Sequence, residues 1–367
     1  MSALLADALL TVDAGLAARG VRLAVRVADG ETVAVMGPNG AGKSTLFGLC
    51  SGLLRPDSGA VTLGGRVLAD ARGTWVPPHR RGVALLAQEP LLFPHLSVLE
   101  NVAFAPRAAG ASRSVSRAAA ERWLTEVDAT DLAGRRPAQL SGGQAQRVAI
   151  ARALAAEPRV LLLDEPFAAL DVAAAPALRR LLRRVLADRT ALVVTHEPLD
   201  AHLLADRVVV LEGGRVAESG PTAELLERPR SRFAAGLAGL NFLRGRVDGR
   251  TTTPGHLAVD GLGDVSGSVP GGADAPGPGE EGLAVFRPAD VSVFRRDEAP
   301  HGSPRNAWGA VVRELEPRGP QVRVHCDAGG HVIVADLTPA AAAELNLGPG
   351  AAVVLVAKAA AVSVYGA

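Results

Sequence analysis

The nine residues GPNGAGKST at 37–45 hold the densest chemistry in the sequence. They fit the spacing G-x-x-x-x-G-K-[ST] and follow TVAVM, an apolar run that reads as a buried strand. Gly37, Gly40 and Gly42, with Asn39 among them, let backbone N–H groups curl around phosphate oxygens. Lys43 can reach the β- and γ-phosphates, Ser44 can ligate Mg²⁺, and Thr45 continues into a helix. A second run, VLLLDE at 160–165, reads as a buried strand ending in two acids. Asp164 is placed to hold Mg²⁺ through water, and Glu165 to take a proton from an attacking water. His196 ends the strand ALVVT and can contact the γ-phosphate, while Gln88, after VALLA, can sense the metal and the attacking water. A third stretch, LSGGQ at 140–144, sets Ser141, Gly142, Gly143 and Gln144 at the start of an amphipathic helix. Unpaired N–H groups and a partial positive charge make such a start a seat for an anion. The chain therefore carries two phosphate-binding helix starts.

These groups need strands and helices to position them. From Val21 to about Arg228, apolar strands (VAVMG, VLLLDE, ALVVTH, RVVVLEGG) alternate with helical segments. SVLENVAF carries a Ser97/Glu100 capping box, and PALRRLLRRVLADR is another helix. Strands buried on both faces with helices between them predict an α/β fold around a mostly parallel sheet. Beyond Pro229 the pattern changes. Residues 269–282, VPGGADAPGPGEEG, read as a linker, and alternating strands follow: AVVREL, QVRVHC, HVIVAD, AVVLVAK and AVSVYG. One helix is expected after Thr338-Pro339, an N-cap followed by proline. NFLRGRV (241–247) echoes RNAWGAV (305–311), a hint of two half-units. We expect a domain over 1–235 and a small all-β domain over 236–367.

Composition narrows the function. Nearly half of the 367 residues are apolar, 48%, enough for a sizeable core. A formal charge of +1 with scattered basic residues argues against a nucleic-acid partner. No apolar run approaches the roughly 18 residues of a membrane span, and the N-terminus has early acids and no basic region, so no signal peptide is expected. Two cysteines, Cys50 and Cys326, give neither a disulfide framework nor a metal cluster. These features fit a soluble cytoplasmic protein. Of the 39 basic residues only Lys43 and Lys358 are lysines. Where arginine is the default, a retained lysine points to a site for a compact ammonium.

The ordered set GPNGAGKST, Gln88, LSGGQ, VLLLDEP, AALD (168–171) and His196 resembles the ATP-binding subunits of ABC transporters, over roughly residues 1–235. The resemblance implies an α/β P-loop NTPase domain that binds ATP with Mg²⁺ and hydrolyses it. It further implies a homodimer sandwiching two ATP molecules, in which Ser141, Gly142 and Gly143 clamp the γ-phosphate held by the partner's phosphate loop. Asp171 then lies at the dimer seam, and Arg147 supports the signature helix. One feature departs from the family: an aromatic residue upstream of the loop usually stacks on adenine, but here the first aromatic is Phe47. Adenine stacking is then left to aliphatic side chains.

Without fused membrane helices, coiled-coil insertions or a second cassette, the chain looks like an importer subunit on the cytoplasmic side of the cell membrane. Residues 88–104, including Phe93, Pro94, His95 and Phe104, would then receive a helix of a membrane-embedded permease, which an external solute-binding protein feeds. The C-terminal region, best over 284–367, resembles the molybdate-binding-type β domain, an OB-like barrel of the TOBE/MOP kind, that ends the ATP-binding subunits of molybdate importers. The resemblance maps an oxyanion site to Ser303, Arg305, Asn306 and Lys358. A tetrahedral dianion suits such cations, hydroxyls and N–H groups. The hydroxyl usual two positions after the lysine is missing, since Ala360 stands there. The resemblance thus implies an ATPase that powers molybdate uptake, with molybdate also bound in the C-terminal domain as a regulator, or else that domain serving dimerisation alone. The alternatives are an importer for sulfate, tungstate or ferric iron, and an oxyanion-binding sensor with an inert ATPase domain.

Overall fold

The computed structural model describes residues 8–168, 170, 175–247, 255–270, 275–296 and 305–367. Asp171 and Ser303 lie outside them. The chain divides into two compact units, Met1–Leu225 and Leu226–Ala367.

The first unit is built on a six-stranded sheet. Its order is Arg215–Pro221, Arg207–Glu212, Thr32–Met36, Ala191–Val194, Val160–Asp164 and Val83–Leu86. All neighbours run parallel except Arg215–Pro221, which pairs antiparallel at the edge. The period of two along each strand divides its residues between two cores. Leu161 and Leu163 pack with Val148 and Leu182 on one face. Val160 and Leu162 pack on the other face with Leu46 and Leu49 of the helix Lys43–Ser51. The next residue on that second side is Asp164, so the alternation that builds the core also aims the acid toward the helix carrying Lys43.

The α/β architecture is the expected one, with an addition. A four-stranded antiparallel sheet, ordered Val21–Ala28, Ala8–Leu16, Ser58–Leu63 and Arg66–Asp70, contributes to the second core. In Val21–Ala28 buried and exposed residues alternate, the mark of a sheet with one covered face. The capping box predicted at Ser97 and Glu100 is present on the helix Val98–Ala108.

The second unit is all-β apart from short helices, as expected. Two five-stranded antiparallel sheets enclose one core that includes Leu243, Phe286, Trp308, Val324 and Leu355. Thr338 caps the predicted helix, Pro339–Glu344. The echo between NFLRGRV and RNAWGAV has a structural counterpart. Asn241 and Asn306 each begin a strand, each is buried, and each bonds both the N–H and the carbonyl of one residue in the opposite sheet. Asn241 does so with Val334 at 2.7 and 2.9 Å, and Asn306 with Ser266 at 2.7 and 2.8 Å.

No helix among the described residues is long and apolar enough to cross a membrane.

Candidate functional site

Four adjacent parallel strands end side by side at one edge of the first unit's sheet. Thr32–Met36 runs into Gly37, Ala191–Val194 into Thr195 and His196, Val160–Asp164 into Glu165, and Val83–Leu86 toward Gln88. The carboxyl ends of parallel strands are where open α/β sheets bind ligands. A cavity of about 480 Å³ lies there, lined by Asn39, Gly40, Gly42, Lys43, Ser44, Thr45, Gln88, Asp164 and Glu165, together with Arg19 and Val21.

The loop shape depends on glycine at two positions. At Gly37, with φ 150°, a β-carbon would stand 2.2 Å from the Leu211 carbonyl oxygen. At Gly42, with φ 109°, the residue caps the helix Lys43–Ser51 and no side chain occupies its first N–H groups. Those donors face an anion site by default. Lys43 Nζ folds back onto the loop, donating to the carbonyls of Gly37 at 2.6 Å and Pro38 at 3.0 Å.

Burial pushes the Lys43 ammonium below its ordinary range, while the carboxylates of Glu165 and Asp164 hold it up. Burial raises the Asp164 carboxyl, the neighbouring Glu165 charge adds to that, and Lys43 opposes it. Glu165 sits just past the strand with φ 45°, an uncommon conformation for a non-glycine residue. Its N–H donates to the Val194 carbonyl at 3.1 Å, and its Oε1 lies 2.8 Å from His196 Nε2. Behind this pair Asp200, 1% exposed, accepts from Arg179 Nε at 2.5 Å and from the Thr195 hydroxyl at 3.2 Å. Arg179 and Asp200 carry no signal in the sequence, because an isolated Arg and Asp on helices form no motif.

Ser141 begins the helix Gly142–Ala155 through a capping box with Gln144. Ser141, Gly142, Gly143 and Gln144 do not line the Lys43 cavity. This helix has internal duties as well. Gln146 Nε2 donates to the Pro166 carbonyl at 3.1 Å, and Arg147 to the Asp128 carbonyl at 2.8 Å. Arg152 donates to the carbonyls of Leu91 and Pro90 at 2.8 and 2.9 Å and lies over the Phe93 ring. Asn101, wholly buried, bonds both the N–H and the carbonyl of Phe93. The segment after Gln88 is thus pinned from two helices, while Leu91 and Phe104 remain 63% and 45% exposed.

In the second unit, Asn306 is buried and its side chain bonds the N–H and the carbonyl of Ser266. Arg305 and Lys358 are exposed and flank the rung where Asn306 pairs with Ala357. The described residues contain no cluster of three or more His, Cys, Asp or Glu able to hold a metal. Ser44, Gln88 and Asp164 line one cavity and offer oxygens to a metal shared with a bound phosphate.

A family profile described as "ABC transporter" matches residues 21–168, and one described as "TOBE domain" matches residues 302–364. The Molybdenum import ATP-binding protein ModC of Mycobacterium tuberculosis is 50% identical over 358 residues, covering 94% of both chains. The Fe(3+) ions import ATP-binding protein FbpC of Streptomyces coelicolor is 40% identical over 332 residues, covering 84% of this chain and 90% of that one. The Putative 2-aminoethylphosphonate import ATP-binding protein PhnT of Salmonella typhimurium is 36% identical over 321 residues, covering 86% and 83%.

Proposed function

The chain belongs to the family of ABC transporter ATP-binding subunits, and from that membership we propose that it hydrolyses ATP to drive molybdate into the cell. The observation that carries the ATPase reading is the convergence of three strand ends on the Lys43 cavity, with His196, after the fourth, 2.8 Å from Glu165. Molybdate rests on the 50% identity, across nearly the whole of both chains, to a protein named for molybdenum import.

Lys43 and the N–H groups of the glycine loop bind the phosphate chain. Lys43 must first leave the Gly37 and Pro38 carbonyls, exchanging two neutral acceptors for phosphate oxygens. Ser44, Gln88 and Asp164 are hard oxygen donors, a set that suits Mg²⁺ shared with the phosphates rather than caged by protein. When bound, Mg²⁺ neutralises charge that develops on the phosphate oxygens. Glu165 takes the proton of the attacking water, and His196 keeps that carboxylate in place. Ser141, Gly142 and Gly143 of a second copy supply the remaining donors to the γ-phosphate, which makes the working unit a homodimer with Asp171 at its seam. Residues 88–104 form the seat for a permease helix, at the cytoplasmic face of the membrane. The exposed Leu91 and Phe104 support that reading. Residues 1–235 form the ATPase domain, and residues 236–367 the regulatory or dimerising one, with Arg305 and Lys358 its cations for an oxyanion.

The test is uptake in cells that depend on this chain. Molybdate uptake lost in a Lys43→Ala variant, with sulfate and ferric-iron uptake unchanged, is the expected outcome. Loss of sulfate or iron uptake instead would reassign the solute.

A further inference from the structure

We propose that Arg19 is the base-binding residue of the nucleotide site, its guanidinium plane forming the face on which the purine stacks. The inference rests on the reading of the Lys43 cavity as an ATP site. No aromatic side chain lines that cavity among the described residues. Arg19 does line it, with Nη1 3.3 Å from the Thr45 hydroxyl.

The backbone beneath Arg19 is held on both sides. Arg19 ends the short turn Ala17–Arg19, whose first N–H donates to Asp57 Oδ2 at 2.6 Å. Gly20 follows in the left-handed conformation with φ 63°. Gly214 packs so closely on the Gly20 carbonyl that a β-carbon there would stand 2.4 Å away. A fixed base lowers the entropic cost of placing a long side chain against a ligand.

The position along the nucleotide follows from what Lys43 does. Lys43 serves the phosphate end, where Asp164 and Glu165 line the same cavity. Lys43 reaches back to Gly37 and Pro38 at the start of the phosphate loop, whereas Arg19 stands beside Thr45, the last residue of that loop, and lines the cavity together with Val21. Arg19 has no carboxylate partner among the described residues, whereas Arg22 lies 3.7 Å from Asp13. An exposed guanidinium without a carboxylate partner can stack on a base, as a lysine ammonium cannot. Val21 supplies an apolar edge to the same surface.

The test is equilibrium titration of the full chain and its variants with Mg-ATP and, separately, with inorganic tripolyphosphate, with thermal melts to check folding. Arg19→Ala should weaken ATP binding by about tenfold and leave tripolyphosphate binding unchanged. Arg19→Lys should remain weak, and Arg19→Trp should recover ATP affinity. Equal losses for both ligands would make Arg19 a phosphate cation and overturn the proposal, as would unaltered ATP affinity in Arg19→Ala. A folded parent chain that binds neither ligand would overturn the ATP reading itself.

Discussion

Gln146 Nε2 donates to the Pro166 carbonyl across 3.1 Å, joining the helix that Ser141 begins to the turn that follows Glu165. Gln146 is 2% exposed, and its Oε1 is buried without a partner. In the proposed homodimer Ser141 serves one ATP and Glu165 the other. This single bond is then a short link between the two sites. Gln146→Leu should leave ATP affinity near the parent value, lower maximal ATPase several-fold, and reduce the Hill coefficient toward one. Binding and steady-state kinetics on the same preparation check this.

Glu165→Gln keeps the shape of the side chain and removes the proposed base. ATP binding should persist while turnover falls by about 10²–10⁴-fold. Light scattering with ATP should then show a long-lived dimer. Hydrolysis at the parent rate would remove Glu165 from the general-base role.

Ser141 has a structural and a chemical duty that can be separated. Ser141→Ala loses the helix cap and should cost about 1 kcal/mol of stability. Ser141→Asp keeps the cap but puts a negative charge where the partner's γ-phosphate would sit. Its melting temperature should match the parent, while ATP-driven dimerisation should be lost.

Burial, followed by the charge of Glu165, holds the Asp164 carboxyl above its ordinary range against the pull of Lys43. The folded chain therefore binds that proton more tightly than the unfolded chain. An ionised Asp164 costs stability above the raised value, and the cost disappears below the unfolded value. Asp164→Asn should thus stabilise the nucleotide-free protein at pH 7, with the gain vanishing as pH falls toward 3.8. Melting curves of both proteins across pH 3.5–8 check the sign, a range set by the ordinary carboxylate and neutral limits.

Asn306→Ala leaves the buried Ser266 N–H and carbonyl without partners and should cost about 2–3 kcal/mol. Denaturant unfolding of the full chain reads this. Lys358→Ala, at an exposed position, should leave stability unchanged. If the second unit takes up oxyanion, calorimetric titration with molybdate should lose affinity in the Lys358 variant.

Much of the site was legible before any fold was known. The phosphate loop, the acids after VLLLD and the capped helix at Ser141 each announce themselves within a few consecutive residues, because a backbone turn, a strand end or a helix start needs particular neighbours. The two-domain fold class was legible for a similar reason, since it rests on local periodicity. Arg19 could not be read this way, because its place beside Thr45 depends on the antiparallel sheet that turns Ala17–Arg19 back over the loop. Nor could the Gln146 bond to Pro166, the Arg179–Asp200 pair or the burial of Asn306, each of which joins elements distant in the chain. The sequence alone determined which residues can bind phosphate and where helices and strands begin, because those properties are set by local backbone geometry. Only the tertiary structure decided which solitary polar side chains brace that machinery and which face its cavity, because a single Arg, Gln or Asn acquires a role only from the packing that surrounds it.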